Sequence, residues 1–232
     1  VEGEEGSGGG EHAAFGVDDD LGVVAATKAI LEGEGYEVTT AVISAAEMGW
    51  AQTRSRFFLV ARKDRSVIPL TTVQEALSDS ARTITWVIKG VSGLSDPPYM
   101  TDLAALSAEN QDRIDWLFDN DAHDLALKKR PDCHKLGTTY TSVYGRLHGD
   151  RPAPTITTGF MTPGRGRYIH PQERRLITPR EAARIQAFPD TYDFSPADGV
   201  APIKKKITKW IGDAVPMPLG YAAALAAILP GW

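Results

Sequence analysis

Apolar positions in the first quarter of the chain predict one helix followed by two strands. In residues 21–32, LGVVAATKAILE, apolar side chains recur at helical spacing, and the aspartates at 18–20 supply an N-cap and a favourable charge. The β-branched segment 36–43 predicts a strand, and the apolar run 57–61 predicts a second, buried strand. A helix followed by two strands is typical of the end of an α/β domain.

The rest of the chain predicts shorter elements. Short helices are predicted at residues 72–77 and 111–118, a strand at 83–88, and an apolar helix at 219–229. Segment 128–172 is rich in glycine, proline and threonine, which favours short strands and long loops. Recognition surfaces are commonly built from such loops.

One segment, RRLITPREAARIQAFP at 174–189, combines a complete helix start with an excess of positive charge. Thr178 is a favourable N-cap, Pro179 takes the first helical position, and Glu181 completes a capping box. A plain capped helix would not need the four arginines that surround it, which are Arg174, Arg175, Arg180 and Arg184. We interpret them as serving architecture and phosphate contact, with Glu181 paired to Arg184 or another nearby arginine.

Charge is distributed unevenly along the chain. The net charge is −5, yet residues 1–40 hold ten acidic side chains against Lys28 alone, and residues 128–184 hold twelve Lys or Arg against four acids. A basic segment in an acidic protein is typical of a phosphate-binding surface. The alternative is a set of solvated surface arginines.

Composition narrows the class of protein. The chain has 232 residues, of which 42% are hydrophobic and 24% charged, as in ordinary globular domains. No apolar run reaches the roughly 20 residues that a membrane helix needs, and no secretory signal is recognisable. The single cysteine, Cys133, excludes an internal disulfide and a cysteine-based zinc cluster, so no metal site is expected.

Three further segments could carry chemistry, and the first is GWAQTRSR at 49–56. Alternation at the entrance to a strand predicts that Arg54 and Arg56 face the same side, with Gln52 close by. Two guanidinium groups there could clamp a phosphate or donate to a base carbonyl. The alternative is a pair of exposed arginines at a strand edge.

The second segment, 144–167, places arginines among glycines and threonines. Arg165 and Arg167 are flanked by glycines and could reach a phosphate with little steric hindrance. We predict that these two contact DNA, together with Arg146, Arg174 and Arg175. The alternative is a mobile surface turn. His170 is expected to be a hydrogen-bonding residue of the loop rather than a base, since no partner carboxylate is evident nearby.

The third segment is IGDAVP at 211–216, ahead of the alanine-rich helix. A glycine turn that leads into a helix can present free N–H groups to an anion. Gly212, Asp213 and Ala214 are therefore candidates for binding an anionic group. The alternative is a plain helix entry.

Taken together, these segments resemble the C-terminal part of DNA cytosine-5 methyltransferases. The resemblance rests on R-x-x-T-P-R-E-x-x-R-x-Q-x-F-P at the capped helix, G-x-x-Q-x-R-x-R at 49–56, and a last motif, G-N-A-V-P, in which Asp213 replaces the usual Asn. It implies that Gln52, Arg54 and Arg56 contact the flipped cytosine or its phosphate. It also implies that Arg180, Glu181 and Arg184 join two domains, and that Gly212, Asp213 and Ala214 line part of an S-adenosyl-L-methionine site.

The resemblance implies an α/β fold, formed by the C-terminal portion of a Rossmann-like methyltransferase domain plus a small, irregular, β-rich target-recognition domain. The expected location is the cytoplasm, in association with a bacterial or phage-like nucleoid. The predicted divisions are a flexible acidic lead-in at 1–14, the end of the catalytic domain at 15–65, the recognition domain with the capped helix at 66–200, and a returning segment at 201–232.

Part of the family's catalytic equipment has no counterpart in this sequence. The family attacks C6 of cytosine with a thiolate from a Pro-Cys motif, helped by a glutamate in Glu-Asn-Val, and holds its cofactor with a glycine-rich turn. Cys133 follows aspartate in a loop, so we do not expect it to be the nucleophile. We expect a fragment or one subunit of a split enzyme, with double-stranded DNA and an N-terminal half as partners. The alternatives are a non-catalytic DNA-binding or interaction module and an unfolded truncation product.

Overall fold

The computed structural model describes residues 14–16, 21–63, 66–135, 142–196 and 199–229. They fall into two compact units. The first unit comprises residues 1–44, 55–78 and 219–232, and the second comprises 45–54 and 79–218. The predicted lead-in at 1–14 lies almost wholly outside the described residues, and the four predicted divisions stay predictions.

The first unit is an antiparallel sheet with helices. Its strand order is β1-β3-β2, and β2 pairs with β3 along its whole length from Glu37–Arg62 to Ser44–Ser55. The predicted helix and both predicted strands are confirmed within one or two residues. The elements are β1 (Ala14–Gly16), α1 (Leu21–Gly33), β2 (Glu37–Ser44), β3 (Ser55–Arg62) and α2 (Leu70–Ala76).

The core of the first unit lies around β3, whose consecutive residues 58–61 are all buried. Consecutive burial is typical of a strand covered on both faces. The alanine-rich helix α8 (Met217–Ile228) contributes buried alanines to this unit. Arg62 donates from Nη1 to the Leu229 carbonyl over 3.0 Å. A cation at this end of the helix satisfies a carbonyl and suits the helix dipole.

The second unit is helical and irregular. Its two short strands pair in parallel, at Gly145–Arg167 and Arg146–Ile169. The prediction of a β-rich domain is therefore wrong for the described residues. The elements are α3 (Ile84–Ile88), α4 (Pro98–Thr101), α5 (Ala108–Asp119), β4 (Gly145–Arg146), β5 (Arg167–Ile169), α6 (Pro179–Ile185), α7 (Lys204–Asp213), the start of α8, and 3₁₀ turns at Val91–Gly93, Leu127–Lys129, Asp132–His134 and Pro163–Arg165.

Side chains replace strand pairing in this unit. Arg146 donates from Nε and Nη2 to the Pro171 carbonyl over 2.9 and 2.7 Å, and Arg167 donates from Nη1 to the carbonyl of His123 over 2.7 Å. Carbonyls that have no partner in a helix or a strand ladder need other donors. The arginines supply them.

The strand predicted at 83–88 is a helix, α3. Thr83 is its N-cap and accepts a hydrogen bond at Oγ1 from the amide of Trp86. Ile84, Val87 and Ile88 are buried, which is helical spacing. β-Branched residues favour strands only weakly, and here burial of one helical face decides the conformation.

Among the described residues, no single helix is long and apolar enough to cross a membrane. Helices α7 and α8 taken together meet that test by length and composition only, with a bend of 44° between them.

Candidate functional site

Helix α6 begins with the predicted capping box. Thr178 Oγ1 accepts from the amide of Glu181 over 3.2 Å, and Glu181 Oε2 accepts from the amide of Thr178 over 2.8 Å. Pro179 occupies the first helical position. The prediction for this helix start is confirmed.

Glu181 also forms the predicted arginine pair, with Arg175. Arg175 donates from Nη1 and Nη2 to the two carboxylate oxygens of Glu181 over 2.8 and 2.7 Å, and from Nε to Glu173 over 2.8 Å. Burial disfavours the charged form of Arg175, but the hydrogen bonds to Glu181 and Glu173 outweigh it and raise its pKa. Arg175 is therefore occupied by carboxylates, and its predicted contact with DNA would compete with them.

Arg180 forms a buried ion pair with Asp96. Its Nε donates to both carboxylate oxygens over 2.9 and 2.8 Å, and Nη2 donates to Oδ1. The two side chains are only 4% and 6% exposed. Removal of either partner would leave an uncompensated buried charge, which is strongly destabilising. The pair therefore holds α6 against the segment that carries Asp96.

The other two arginines around α6 are also paired. Arg184 donates from Nε and Nη2 to Asp190, each over 2.6 Å, and from Nη1 to the carbonyl of Lys89 over 2.7 Å. Arg174 donates from Nη2 to Asp119 over 2.6 Å. The geometry favours architecture for this group, as the sequence suggested.

His170 is buried beside α6 and binds its own loop. Its Nδ1 accepts from the amides of Gln172 and Glu173 over 3.1 and 2.9 Å, so the expected loop role is confirmed. The statement that no carboxylate lies nearby is wrong, because Nε2 lies 3.6 Å from Glu181 Oε1. Burial lowers the pKa of His170, and Glu181 only partly opposes this effect. The ring is held in its neutral form.

A buried network of amides joins the three candidate segments to α6. Gln52 is fully buried and donates from Nε2 to the Ile185 carbonyl and to Gln186 Oε1, both over 2.9 Å. Gln186 in turn donates from Nε2 to the carbonyls of Ile211 and Ala214 over 2.6 and 3.2 Å. Trp50 also donates a hydrogen bond, from Nε1 to the Ile185 carbonyl, over 2.9 Å.

Arg54 extends this network to the second segment. It is 4% exposed and donates from Nη1 to the carbonyl of Ile156 over 2.9 Å. The substrate contacts predicted for Gln52 and Arg54 would have to be made from these buried positions, and they stay predictions. Arg56 is half-buried at the start of β3 and donates from Nη1 to the carbonyl of Ser55 over 2.7 Å. Its role also stays a prediction.

Gly212 lies where the chain passes another segment closely. A Cβ at this position would lie 2.4 Å from the amide nitrogen of Thr158 and 2.5 Å from the carbonyl carbon of Thr157. The expected glycine turn before a helix is wrong, because Gly212 and Asp213 are the last two residues of α7. Only glycine fits at this position of α7, because a side chain would meet the backbone of Thr157 and Thr158. Asp213 is paired with Lys209 one turn earlier.

A cavity of about 860 Å³ opens beside this segment. Its lining includes Asp213 and Ala214, and three aromatic rings pack edge-on or tilted beside one another with centroids 4.7–5.0 Å apart. Those rings are Phe188, Tyr192 and Phe194, and the half-exposed Trp210 completes the wall. Sequence reasoning missed this cavity, although the spacing of aromatics after the capped helix was a visible signal.

The predicted DNA contacts of the second segment divide into two kinds. Arg146 and Arg167 are tied to backbone carbonyls, and they pair with Asp121 and Asp124 respectively. Arg165 is exposed, and its guanidinium forms no hydrogen bond or ion pair with the rest of the chain that the structure describes. Of this group, Arg165 is the side chain best placed to receive a phosphate.

Cys133 lies in the exposed 3₁₀ turn Asp132–His134. A turn of three residues offers no long helix dipole to stabilise a thiolate. No group of three or more His, Cys, Asp or Glu side chains within the described ranges could hold a metal ion.

Comparison with known proteins identifies the family. Residues 19–228 match the model of the C-5 cytosine-specific DNA methylase, so the chain belongs to that family. It is 41% identical over 197 residues to the type II methyltransferase M1.BsuMI of Bacillus subtilis (strain 168), covering 84% of this chain and 44% of that protein. It is 35% identical over 204 residues to the type II methylase M.HgiDII of Herpetosiphon aurantiacus, covering 84% of this chain and 56% of that protein.

The fold is also similar to that of solved methyltransferase structures. The S. pombe Dnmt2 methyltransferase aligns with a TM-score of 0.57 at 12% identity, over 92% of this chain and 63% of that one. A putative DNA modification methyltransferase from an E. coli prophage aligns with a TM-score of 0.50 at 20% identity, over 92% and 67%. The chain spans about half the length of the curated relatives it matches.

Proposed function

We propose that this chain is the C-terminal part of a DNA cytosine-5 methyltransferase, which transfers a methyl group from S-adenosyl-L-methionine to C5 of a flipped cytosine in double-stranded DNA. The observation that carries the proposal is the buried amide network. It runs from Gln52 through Gln186 to Ile211 and Ala214, and so joins the segments in which the family resemblance resides.

The division of labour follows from which residues are present. The only cysteine is exposed and lies in a short turn, and the sequence contains no Glu-Asn-Val. The nucleophile, the glutamate and the glycine-rich cofactor turn would come from an N-terminal half or subunit. This chain would supply DNA recognition and one wall of the reaction site.

The residues present fit a share of the cofactor site. Asp213 and Ala214 line a cavity with an aromatic wall, and Lys209, which is paired with Asp213, lines it as well. Aromatic rings suit a ligand that carries an adenine ring and a cationic sulfur. The cofactor would supply the methyl group, and Gln186 would hold the 211–214 segment in position through its two hydrogen bonds to carbonyls.

Arg56 is the residue we assign to the extruded cytosine or its phosphate. Extrusion of a base costs a few kcal/mol and needs groups that hold the base once it is out of the stack. A guanidinium suits this task, because it donates in a fixed planar arrangement to a carbonyl or a phosphate oxygen. Arg56 donates one bond to the Ser55 carbonyl, which leaves other donors of the group for a ligand.

Co-expression with a candidate N-terminal half tests the proposal. A methylation-sensitive digest of host DNA should show protection when both chains are present and none with this chain alone. Arg56→Ala should abolish protection, whereas Arg151→Ala, at an arginine that is 61% exposed, should not. Methyl transfer by the purified chain alone would contradict the division of labour.

A non-catalytic DNA-binding module is the second candidate. The observation that favours it is that the second unit has its own continuous hydrophobic core while the chain lacks a credible nucleophile. The reading frame immediately upstream discriminates between the two. A glycine-rich turn, Pro-Cys and Glu-Asn-Val encoded there would favour the enzyme.

A further inference from the structure

Several exposed cations of the second unit remain available after the arginines around α6 are paired, and three of them are carried by the 3₁₀ turns Leu127–Lys129 and Pro163–Arg165. Lys128, Lys129 and Arg165 are exposed, and their side-chain nitrogens form no hydrogen bond or ion pair with any residue in the described ranges. By contrast, Arg146, Arg167, Arg174 and Arg175 each pair with at least one carboxylate. A phosphate would therefore meet uncompensated charge at the first three side chains.

The turn that carries the two lysines is fixed to helix α5. Arg113 donates from Nε to the carbonyl of Lys129 over 3.2 Å and from Nη1 to Asn110 over 2.7 Å. Arg130 donates from Nε to the carbonyl of Leu125 over 3.0 Å. Arg113 and Arg130 therefore bind backbone carbonyls at and just before the two lysines. The lysine side chains are then presented to solvent on a constrained turn.

Tyr144 connects this turn to the one that carries Arg165. The guanidinium of Arg113 lies 5.5 Å from the centroid of the Tyr144 ring, within cation–π range. On another side of the ring, a Cβ at Gly164 would lie 3.1 Å from the Tyr144 hydroxyl, and the amide of Tyr144 donates to Pro163 over 2.8 Å. The ring therefore contacts the turn that carries Arg165 directly and the turn that carries the lysines through Arg113.

The lysine turn borders an open polar cavity of about 540 Å³. Five basic residues line it, namely Arg113, Lys128, Lys129, Arg130 and Lys135, and three acidic ones, namely Glu109, Asp112 and Asp132. Lys135 binds Asp132 over 2.7 Å, so those two cancel. Four basic residues then face two acidic ones, Glu109 and Asp112, so a positive balance remains.

We propose that Lys128, Lys129 and Arg165, which we call the Tyr144 surface, bind phosphates of the DNA backbone and set the position of the duplex on the second unit. This inference rests on the proposed function in taking DNA as the partner. Lysines act as point charges towards phosphate and carry no base preference. The Tyr144 surface therefore contributes affinity and register, whereas sequence choice comes from other residues.

Salt dependence of DNA binding tests the proposal directly. Each phosphate contact contributes about 0.9 to the slope of log affinity against log salt concentration. In the full chain, the double variant Lys128→Gln/Lys129→Gln should lower that slope by roughly 2, and Arg165→Gln should lower it by roughly 1. Fluorescence anisotropy with a labelled duplex gives the slope, and duplexes of different sequence should show the same loss.

The matched control is Lys205→Gln/Lys206→Gln, which removes two adjacent exposed lysines from the start of α7 and changes the net charge equally. An equal fall in slope for the control, or an unchanged slope for the Tyr144 surface variants, would overturn the assignment. A wild-type chain that binds no duplex would instead contradict DNA as the partner in the proposed function. If the Tyr144 surface variants weakened binding to polyglutamate as much as binding to DNA, the surface would be a general polyanion site, and the assignment to DNA phosphates would also be overturned.

Discussion

The buried ion pair between Arg180 and Asp96 allows a sharp prediction about stability. Asp96 is the carboxylate partner of a guanidinium that is almost fully excluded from water, and the two are 84 residues apart in sequence. Arg180 Nη1 is itself buried without a hydrogen-bond partner among the described residues. Removal of Asp96 would leave the whole charge uncompensated in a medium of low dielectric constant.

The expected magnitudes follow from that geometry. Asp96→Ala should lower the free energy of unfolding by about 3–5 kcal/mol, the cost of breaking a buried pair from one side. Asp96→Asn keeps one acceptor and should cost less, about 1.5–3 kcal/mol, the range for a hydrogen bond to a charged group. Replacing both partners, as Arg180→Met with Asp96→Leu, should be nearly neutral because no charge is left buried.

Equilibrium unfolding in urea, followed by tryptophan fluorescence, measures these differences. Lys209→Ala is the control, because Lys209 and Asp213 form an ion pair that is 69% and 51% exposed. Such a pair is worth at most about 1 kcal/mol. The reasoning would be refuted if Asp96→Ala cost no more than this control, or if the double replacement were as damaging as Asp96→Ala.

Three other expectations follow from single residues. Gly212→Ala should lower the free energy of unfolding, measured in urea, by about 1–3 kcal/mol, because its Cβ would meet backbone at 2.4 Å. The control Gly220→Ala in α8, where a Cβ would meet no atom within 4 Å, should raise it by up to about 1 kcal/mol. Ala187 has φ 68°, so Ala187→Gly should raise the melting temperature by removing about 1 kcal/mol of strain. Burial lowers the pKa of His170 in the folded chain, so the unfolded chain binds this proton at a higher pH. The free energy of unfolding should therefore fall as the pH drops below the usual histidine value of 6.5. His170→Asn should flatten that part of the curve of stability against pH.

Local signals in the sequence were sufficient for the start of α6 and for the strands β2 and β3. The capping box of Thr178 and Glu181 is formed by residues three apart, so a short pattern contains all of its partners. The strand predicted at 57–61 was also recognisable locally, because its short, continuous apolar run shows no helical spacing of apolar and polar residues. The helix at Ile84–Ile88 was missed because its burial pattern depends on which face meets the core of the second unit.

The partners of the charged and amide side chains could not be predicted in this way. Gln52 and Gln186 are 134 residues apart, and Arg54 binds a carbonyl 102 residues away. Their contacts are set by tertiary packing, which no spacing rule encodes. Sequence reasoning therefore identified the segments of the candidate site but assigned several arginines to DNA that the structure pairs with carboxylates.

Helix α6 shows why a family motif can be informative and still carry no chemistry. Seven residues are too few for a helix to be stable alone, so its order must come from contacts outside it. Ion pairs from Arg180 and Arg184 supply those contacts along its length, and Gln186 extends them to the 211–214 segment. A group that takes part in proton transfer or substrate binding must offer a donor or acceptor to the substrate. The arginines of α6 use their donors within this chain, so we infer that the motif holds the candidate site together and that the reacting groups lie outside the motif.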